Sequence, residues 1–285
     1  MLTGPPLLDL LIVGGLTVDH FGERSAAGGS VLHATRAGVH AGVRLAALTA
    51  ADSEPDALTG LAEIAASGQL LHQDAHTTIG FGHRETPGGR ILTFEAAGAP
   101  LSLSAGQVDE LRPAALLLAP VAGEIGAATV TSSAGRSWRP LRAAILQGWL
   151  RLLEAGAVVK PLALSGLPPE LVAALAQLAV LVASREDLLA DASHPQAQLA
   201  ALRSTIGLGP ILVVTDGVEG AWFDVDDSIG HVPVAFRVDG VPTVGAGDAY
   251  AAILAVRLAT GSTQLRDAMA DAAQAVAEIL AGRRP

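Results

Sequence analysis

Short apolar runs alternate with stretches of helical period along most of the chain. "LLDLLIVGG" near the start reads as a fully buried strand, and "GGSVLHATRAGVHAG" after it as a helix entered through glycines. "VRLAALTA" is a second strand, followed by a helix from Glu54 to about Ala66. Ala114–Pro120, Ala179–Ser184 and Ile211–Thr215 are further buried strands with helical stretches between them. Strands that alternate with helices predict βαβ units and a mostly parallel sheet.

Two segments depart from that rhythm. Thr77–Gly98 alternates around a Pro-Gly-Gly turn and predicts a β-hairpin. With the polar stretch Thr17–Ala27 it forms a small sheet over one edge of the main one. "AWFDVDDSIGHVPVAFRV" predicts a second hairpin. No repeat or linker divides the chain, so residues 1–285 are expected to form one α/β domain.

Composition narrows the function. Half of the residues are hydrophobic, enough for a sizeable core. The net charge of −10, with no basic run, argues against nucleic acid and anionic membrane as main partners. The absence of cysteine excludes disulfides and Cys-ligated metal, and fits an intracellular protein. "MLTGPPLLDLLIVGG" lacks a charged leader and reads as the approach to the first strand, so a cytoplasmic protein is expected. The apolar stretch Leu171–Ser184 falls short of the roughly 20 residues that span a bilayer.

Several chemistries drop out. Lys160 is the only lysine and follows no glycine loop, so there is no Walker A motif. "VGGLTVD" replaces the dinucleotide fingerprint after the first strand, and no G-x-S-x-G elbow occurs. His72 and His76 have ligand spacing for a helix, but their flanks read as strand, so the metal ligands stay unassigned.

The strongest local signal is "VPTVGAGDAYAAIL". Gly245, Ala246 and Gly247 leave backbone amides bare at the start of a helix, where the unpaired donors and the helix dipole favour an anion. Asp248 beside them is either a helix-dipole complement or a base that takes a proton from an attacking hydroxyl.

The segment "GAGDAYAAILAVRLATG" resembles the C-terminal signature of the ribokinase-like (PfkB) carbohydrate kinases. The resemblance implies a three-layer α/β sandwich with a mostly parallel central sheet and a small β lid from about residues 17–27 and 77–98. It implies Asp248 as catalytic base and Gly245, Ala246 and Gly247 as the anion hole. "VVTDGVEGAWF" resembles the family's nucleotide loop, mapping onto Thr215, Gly217 and Gly220; "SRED" stands where Ser184 and Asp187 would help hold nucleotide and metal. The N-terminal region resembles the substrate site, with Asp19, the Gly28–Gly29 turn and His33 as contacts. "LLLAPVAGEI", "LQGWLR" and "GFGHR" look closest to the inositol-kinase-like branch, and Glu124 is a candidate substrate or metal contact.

The implied function is ATP- and magnesium-dependent phosphorylation of a small polyol or sugar. A nucleoside acceptor and a non-catalytic binding relative stay open as alternatives. Pro242 and Val244 depart from the signature, which has an aspartate and a threonine there, and "SRED" departs from Asn-x-x-Glu. Arg84 and Arg90 lie on the expected lid hairpin, where they are phosphate clamps or solvated charge, and the Arg136–Arg142 cluster reads as a surface loop. A lid with an apolar outer face allows a homodimer through the lid.

Overall fold

The structure, a computed structural model, describes residues 4–86, 89–261 and 264–283. Strand β1 (Leu8–Gly14) leads out of the main sheet into β2 (Thr17–Phe21) and β3 (Arg24–Gly28), and helix α1 (Ser30–His40) returns to β4 (Leu45–Ala51). Helix α2 (Pro55–Ser67) and β5 (Gln69–Asp74) follow, then the hairpin β6 (Ile79–Thr86) and β7 (Gly89–Ala96). The middle of the chain holds α3 (Ala105–Leu111), β8 (Pro113–Ala119), α4 (Ala127–Ser132), β9 (Leu141–Ile145), and the short pair β10 (Arg151–Leu152) and β11 (Lys160–Pro161). It continues with α5 (Pro169–Leu175), β12 (Val180–Ser184), α6 (Pro195–Ile206) and β13 (Ile211–Thr215). An antiparallel hairpin, β14 (Ala221–Val225) and β15 (Ser228–Val232), precedes α7 (Ala246–Ala259) and α8 (Leu265–Ala281).

The main sheet runs β15-β14-β13-β12-β9-β8-β1-β4-β5 and is parallel from β13 to β5. From β1 the chain adds β4 and β5 on one side and then β8, β9, β12 and β13 on the other. That reversal opens a crevice at the carboxyl ends of the strands, where open α/β sheets bind ligands. Both faces of the sheet are covered. Leu10 and Ile12 of β1 join a core with α1, α7 and α8, while Leu11 and Val13 join one with α4, α5 and α6. Burial on two faces explains why the strands read as continuous apolar runs rather than as alternations.

Helix α7 is buried at every position from Ala249 to Val256. Its alanines let it sit close to the sheet between α1 and α8, and its N-terminus opens at the crevice. The second sheet, β3-β2-β6-β7, is the expected lid. Ile79, Phe81 and Phe94 give it a small apolar core that closes on Val121. The Pro87–Gly88 part of its hairpin turn lies outside the described residues.

β9 and the short pair β10 and β11 are additions to the sequence reading, and β5 is legible there only as the strand-like flanks of His72 and His76. β5 mixes exposed and half-buried positions, as an edge strand does. β9 begins at Leu141, inside the stretch expected to be a surface loop. The loop before it is real, and the Asp109 carboxylate fixes it by accepting the amides of Arg136, Ser137 and Trp138.

Candidate active site

One cleft of about 690 Å³ runs beneath the lid and along the strand ends to the α7 N-terminus. Asp19, Gly29, His33, Ser184, Asp187, Thr215, Gly217, Gly220 and Gly245 through Asp248 all line it. Residues distant in sequence thus converge on one space.

Gly245 caps α7 in the left-handed conformation, at φ 79°. Its carbonyl accepts the Ala249 amide, and the Ala246 amide turns back to the Thr243 carbonyl. The Ala246 N–H is therefore already used, and the donors facing the cleft are those of Gly247 and Asp248, unpaired within the protein among the described residues. The Asp248 carboxylate is half-buried and makes no hydrogen bond or ion pair among the described residues. Arg283, just beyond α8, donates to the carbonyls of Pro242 (2.9 Å) and Val244 (2.8 Å). This clamp holds the loop that carries the signature's departures.

His33 packs directly on Gly245: a Cβ there would lie 2.3 Å from the imidazole Cγ. Burial pushes the His33 pKa down, against the pull of Asp248 and Asp19, so the ring is held neutral. It lines the cleft together with Asp19 and Asp248. Gly28 does not line the cleft. It lies under Asp19, and a Cβ there would meet Asp19 Oδ2 at 2.2 Å. Gly29, at φ 92°, presses against the Gly15 carbonyl and starts α1 beside the cleft. The turn's glycines therefore make room for Asp19, whose Oδ1 accepts from Thr17 Oγ1 at 3.0 Å.

Ser184 and Thr215 are the last residues of β12 and β13 and lie side by side in register. Ser184 and Asp187 bond reciprocally: the Ser184 amide donates to Asp187 Oδ2 (2.9 Å), and the Asp187 amide to Ser184 Oγ (3.2 Å). Burial raises the Asp187 pKa, with Arg151 opposing. Between β13 and β14 the chain turns tightly, the Asp216 amide donating to the Gly220 carbonyl at 2.7 Å. Gly217 and Gly220 both have positive φ, and a Cβ on Gly220 would meet the Val232 carbonyl at 2.2 Å. This loop is at once a strand connection and part of the cleft wall.

Glu124 requires a correction. Its carboxylate is buried and accepts the amides of Val121 and Ala122 at 2.8–3.2 Å, bracing the loop after β8 rather than facing the cleft. A buried acid at a strand's carboxyl end looks alike in sequence whether it serves a ligand or the backbone. Arg84 points away from the cleft and is exposed; the Arg90 side chain lies outside the described residues. His72 Nε2 donates to the Ala51 carbonyl at 3.1 Å, and no metal-holding group of three or more acids and histidines occurs among the described residues.

Sequence reasoning did not assign several polar groups of the cleft, among them Gln147, Arg151, Tyr250 and His83. The Tyr250 hydroxyl is buried without a partner among the described residues, and burial pushes its pKa up. For His83 a signal existed. Ile79, Phe81 and His83 share one face of β6 by strand alternation, and the first two are buried toward the lid core.

Residues 104–284 match the family model of the pfkB family carbohydrate kinases. No protein of curated function matches by sequence. Among solved structures, a pyrophosphate-dependent myo-inositol-1 kinase converted into a myo-inositol-3 kinase superposes with TM-score 0.76 at 17% identity, over 97% of this chain and 94% of that one. A pyrophosphate-dependent kinase in the ribokinase family, complexed with a pyrophosphate analog and myo-inositol, gives TM-score 0.74 at 14% identity over 97% and 96%. The Arabidopsis thaliana ribokinase complexed with ribose and ATP gives 0.74 at 15% over 98% and 93%. These likenesses show the ribokinase-like fold, and the match over more than half of the sequence shows the lineage: the chain belongs to the pfkB family of carbohydrate kinases.

Proposed function

We propose that the protein transfers the terminal phosphoryl group of ATP to a hydroxyl of a small polyol or sugar. One observation carries this reading. In a single cleft, a free carboxylate and unpaired helix amides adjoin a wall of buried polar groups that lack partners within the protein. On that wall Ser30 Oγ, His33 Nδ1 and both His83 nitrogens have no hydrogen-bond partner among the described residues. Burying such groups unpaired costs about 1–3 kcal/mol each, and a polyhydroxylated ligand relieves that cost. Val218, Phe236, Val238, Val276, Ala277 and Leu280 also line the cleft and supply apolar surface that suits a nucleotide base. A pyrophosphate donor has no part to place there, so this surface favours ATP.

In this reading Asp248 accepts the proton of the attacking hydroxyl while the Gly247 and Asp248 amides hold the transferred phosphoryl group. His33, kept neutral, fixes Gly245 and faces the acceptor. The Gly217–Gly220 loop and the Ser184–Thr215 edge flank the nucleotide. Magnesium would supply charge neutralisation to the donor phosphates, and Asp187 and Glu186, which line the cleft, are the carboxylates that would help hold it. The lid excludes water that would otherwise compete as acceptor. Pairing of two copies through the lid is part of the proposal and is tested by sedimentation.

The test is a panel of pentoses, hexoses, cyclitols and nucleosides with magnesium and either ATP or pyrophosphate, followed by product mass spectrometry. The reading expects a phosphorylated polyol or sugar with ATP. Saturable polyol binding without any phosphorylated product from either donor would overturn it.

A further inference from the structure

The lid carries a histidine whose position the proposed reaction does not yet explain. His83 projects from β6 with its side chain only 8% exposed, and lines the cleft with Thr17, Asp19 and Ser30. Its ring stacks on Phe21, centroids 4.6 Å apart and planes 23° from parallel, so its orientation is fixed by an aromatic neighbour from another lid strand. Nε2 lies 3.4 Å from Asp19 Oδ1, yet neither ring nitrogen makes a directed hydrogen bond among the described residues. Asp19 Oδ1 is meanwhile occupied by the Thr17 hydroxyl.

A neutral imidazole offers one donor and one acceptor, and water or protein normally satisfies both when the ring is buried. Here the packing holds the ring at the cleft wall beside a carboxylate, with its hydrogen-bonding capacity unspent. The Asp19 carboxylate can only accept, so a hydroxyl that donates to it leaves its own oxygen free. A hydroxyl on the adjoining carbon then comes within reach of the imidazole.

We propose that His83 determines acceptor specificity, reading together with Asp19 two neighbouring hydroxyls of the substrate. The acceptor is then a polyol with a free vicinal diol under the lid. The inference rests on the phosphotransferase reading, because it places that acceptor in the same cleft. Its selectivity comes from the unpaired state: an analogue lacking one of the two hydroxyls leaves a buried polar group without a partner, which binding sites penalise far more than a lost methylene.

Calorimetric titration without donor tests this on the wild type, His83→Phe and His83→Gln. Each pentose, hexose and cyclitol is measured beside its monodeoxy analogues. The wild type should bind one polyol at least about tenfold tighter than an analogue missing a hydroxyl of the diol. His83→Phe keeps an aromatic ring against Phe21 and should bring that ratio to within about twofold, weakening the parent polyol roughly 10- to 100-fold. His83→Gln should recover part of the discrimination, which a merely structural residue would not allow. An unchanged ratio in His83→Phe overturns the proposal, as does a wild type that binds none of the panel. Turnover of a polyol with an unchanged ratio would sink the His83 assignment alone, whereas selective binding without turnover would sink the kinase reading and leave His83 standing.

Discussion

Gly245→Ala is the substitution whose cost the structure apportions best. At φ 79° a non-glycine residue costs about 1–2 kcal/mol of backbone strain. The added Cβ would also fall 2.3 Å from Cγ and 2.4 Å from Nδ1 of His33, well inside van der Waals contact. Overpacking of this kind adds about 1–3 kcal/mol. The total, about 2–5 kcal/mol, corresponds to a Tm roughly 4–10 °C lower, at about 2 °C per kcal/mol for a domain of this size. Turnover should fall by about 100-fold or more, because the helix amides move with the cap. The two contributions separate in a double-mutant cycle. His33→Ala removes the ring, so Gly245→Ala in that background should retain only the strain, about 1–2 kcal/mol. Urea unfolding of the four proteins measures the coupling. Additivity within about 0.5 kcal/mol would refute the claim that His33 and Gly245 are packed as one unit.

Three further outcomes follow from the same geometry. Arg203 and Asp224 form a buried ion pair (Nε to Oδ2, 3.0 Å) that ties α6 to β14, so Asp224→Ala should cost about 3–5 kcal/mol in urea unfolding by stranding the guanidinium. Burial depresses the His33 pKa, so the unfolded chain binds that proton more readily. Its contribution to stability is complete above the ordinary value near 6.5 and lost as pH falls below it, by at most about 1.4 kcal/mol per pH unit. His33→Asn should flatten the dependence of the urea midpoint between about pH 7.5 and about pH 5.5. Gly220→Ala, forced against the Val232 carbonyl at φ 100°, should raise the KM for ATP about tenfold or more while leaving the acceptor KM within about twofold in steady-state assays.

Most of the fold is legible in the sequence because a doubly covered parallel sheet writes itself as unbroken apolar runs: Ile211–Thr215 is a strand in both readings. The strands read faintly or not at all are those without that signature. β5 is a half-exposed edge, and β9 starts inside an arginine-rich loop. The Gly245–Asp248 turn stands out for a different reason, since small residues beside an acid at a helix start leave backbone donors bare for an anion. Glu124 shows the limit of that logic: its acid serves backbone amides, a role that depends on which way a loop folds back. Arg283 shows another, since its clamp on Pro242 and Val244 joins residues some forty positions apart. His83 lay within reach of simple alternation, but its importance comes from the absence of partners, which only the assembled structure reveals.

The central claim is that Asp248 activates an alcohol beside amides that grip the phosphoryl group. Single-turnover phosphoryl transfer by Asp248→Asn, measured alongside ATP and acceptor binding, tests it most directly. The account predicts binding within a few-fold of wild type and a transfer rate about 100- to 10,000-fold lower. Transfer at a rate close to that of the unaltered enzyme would contradict it.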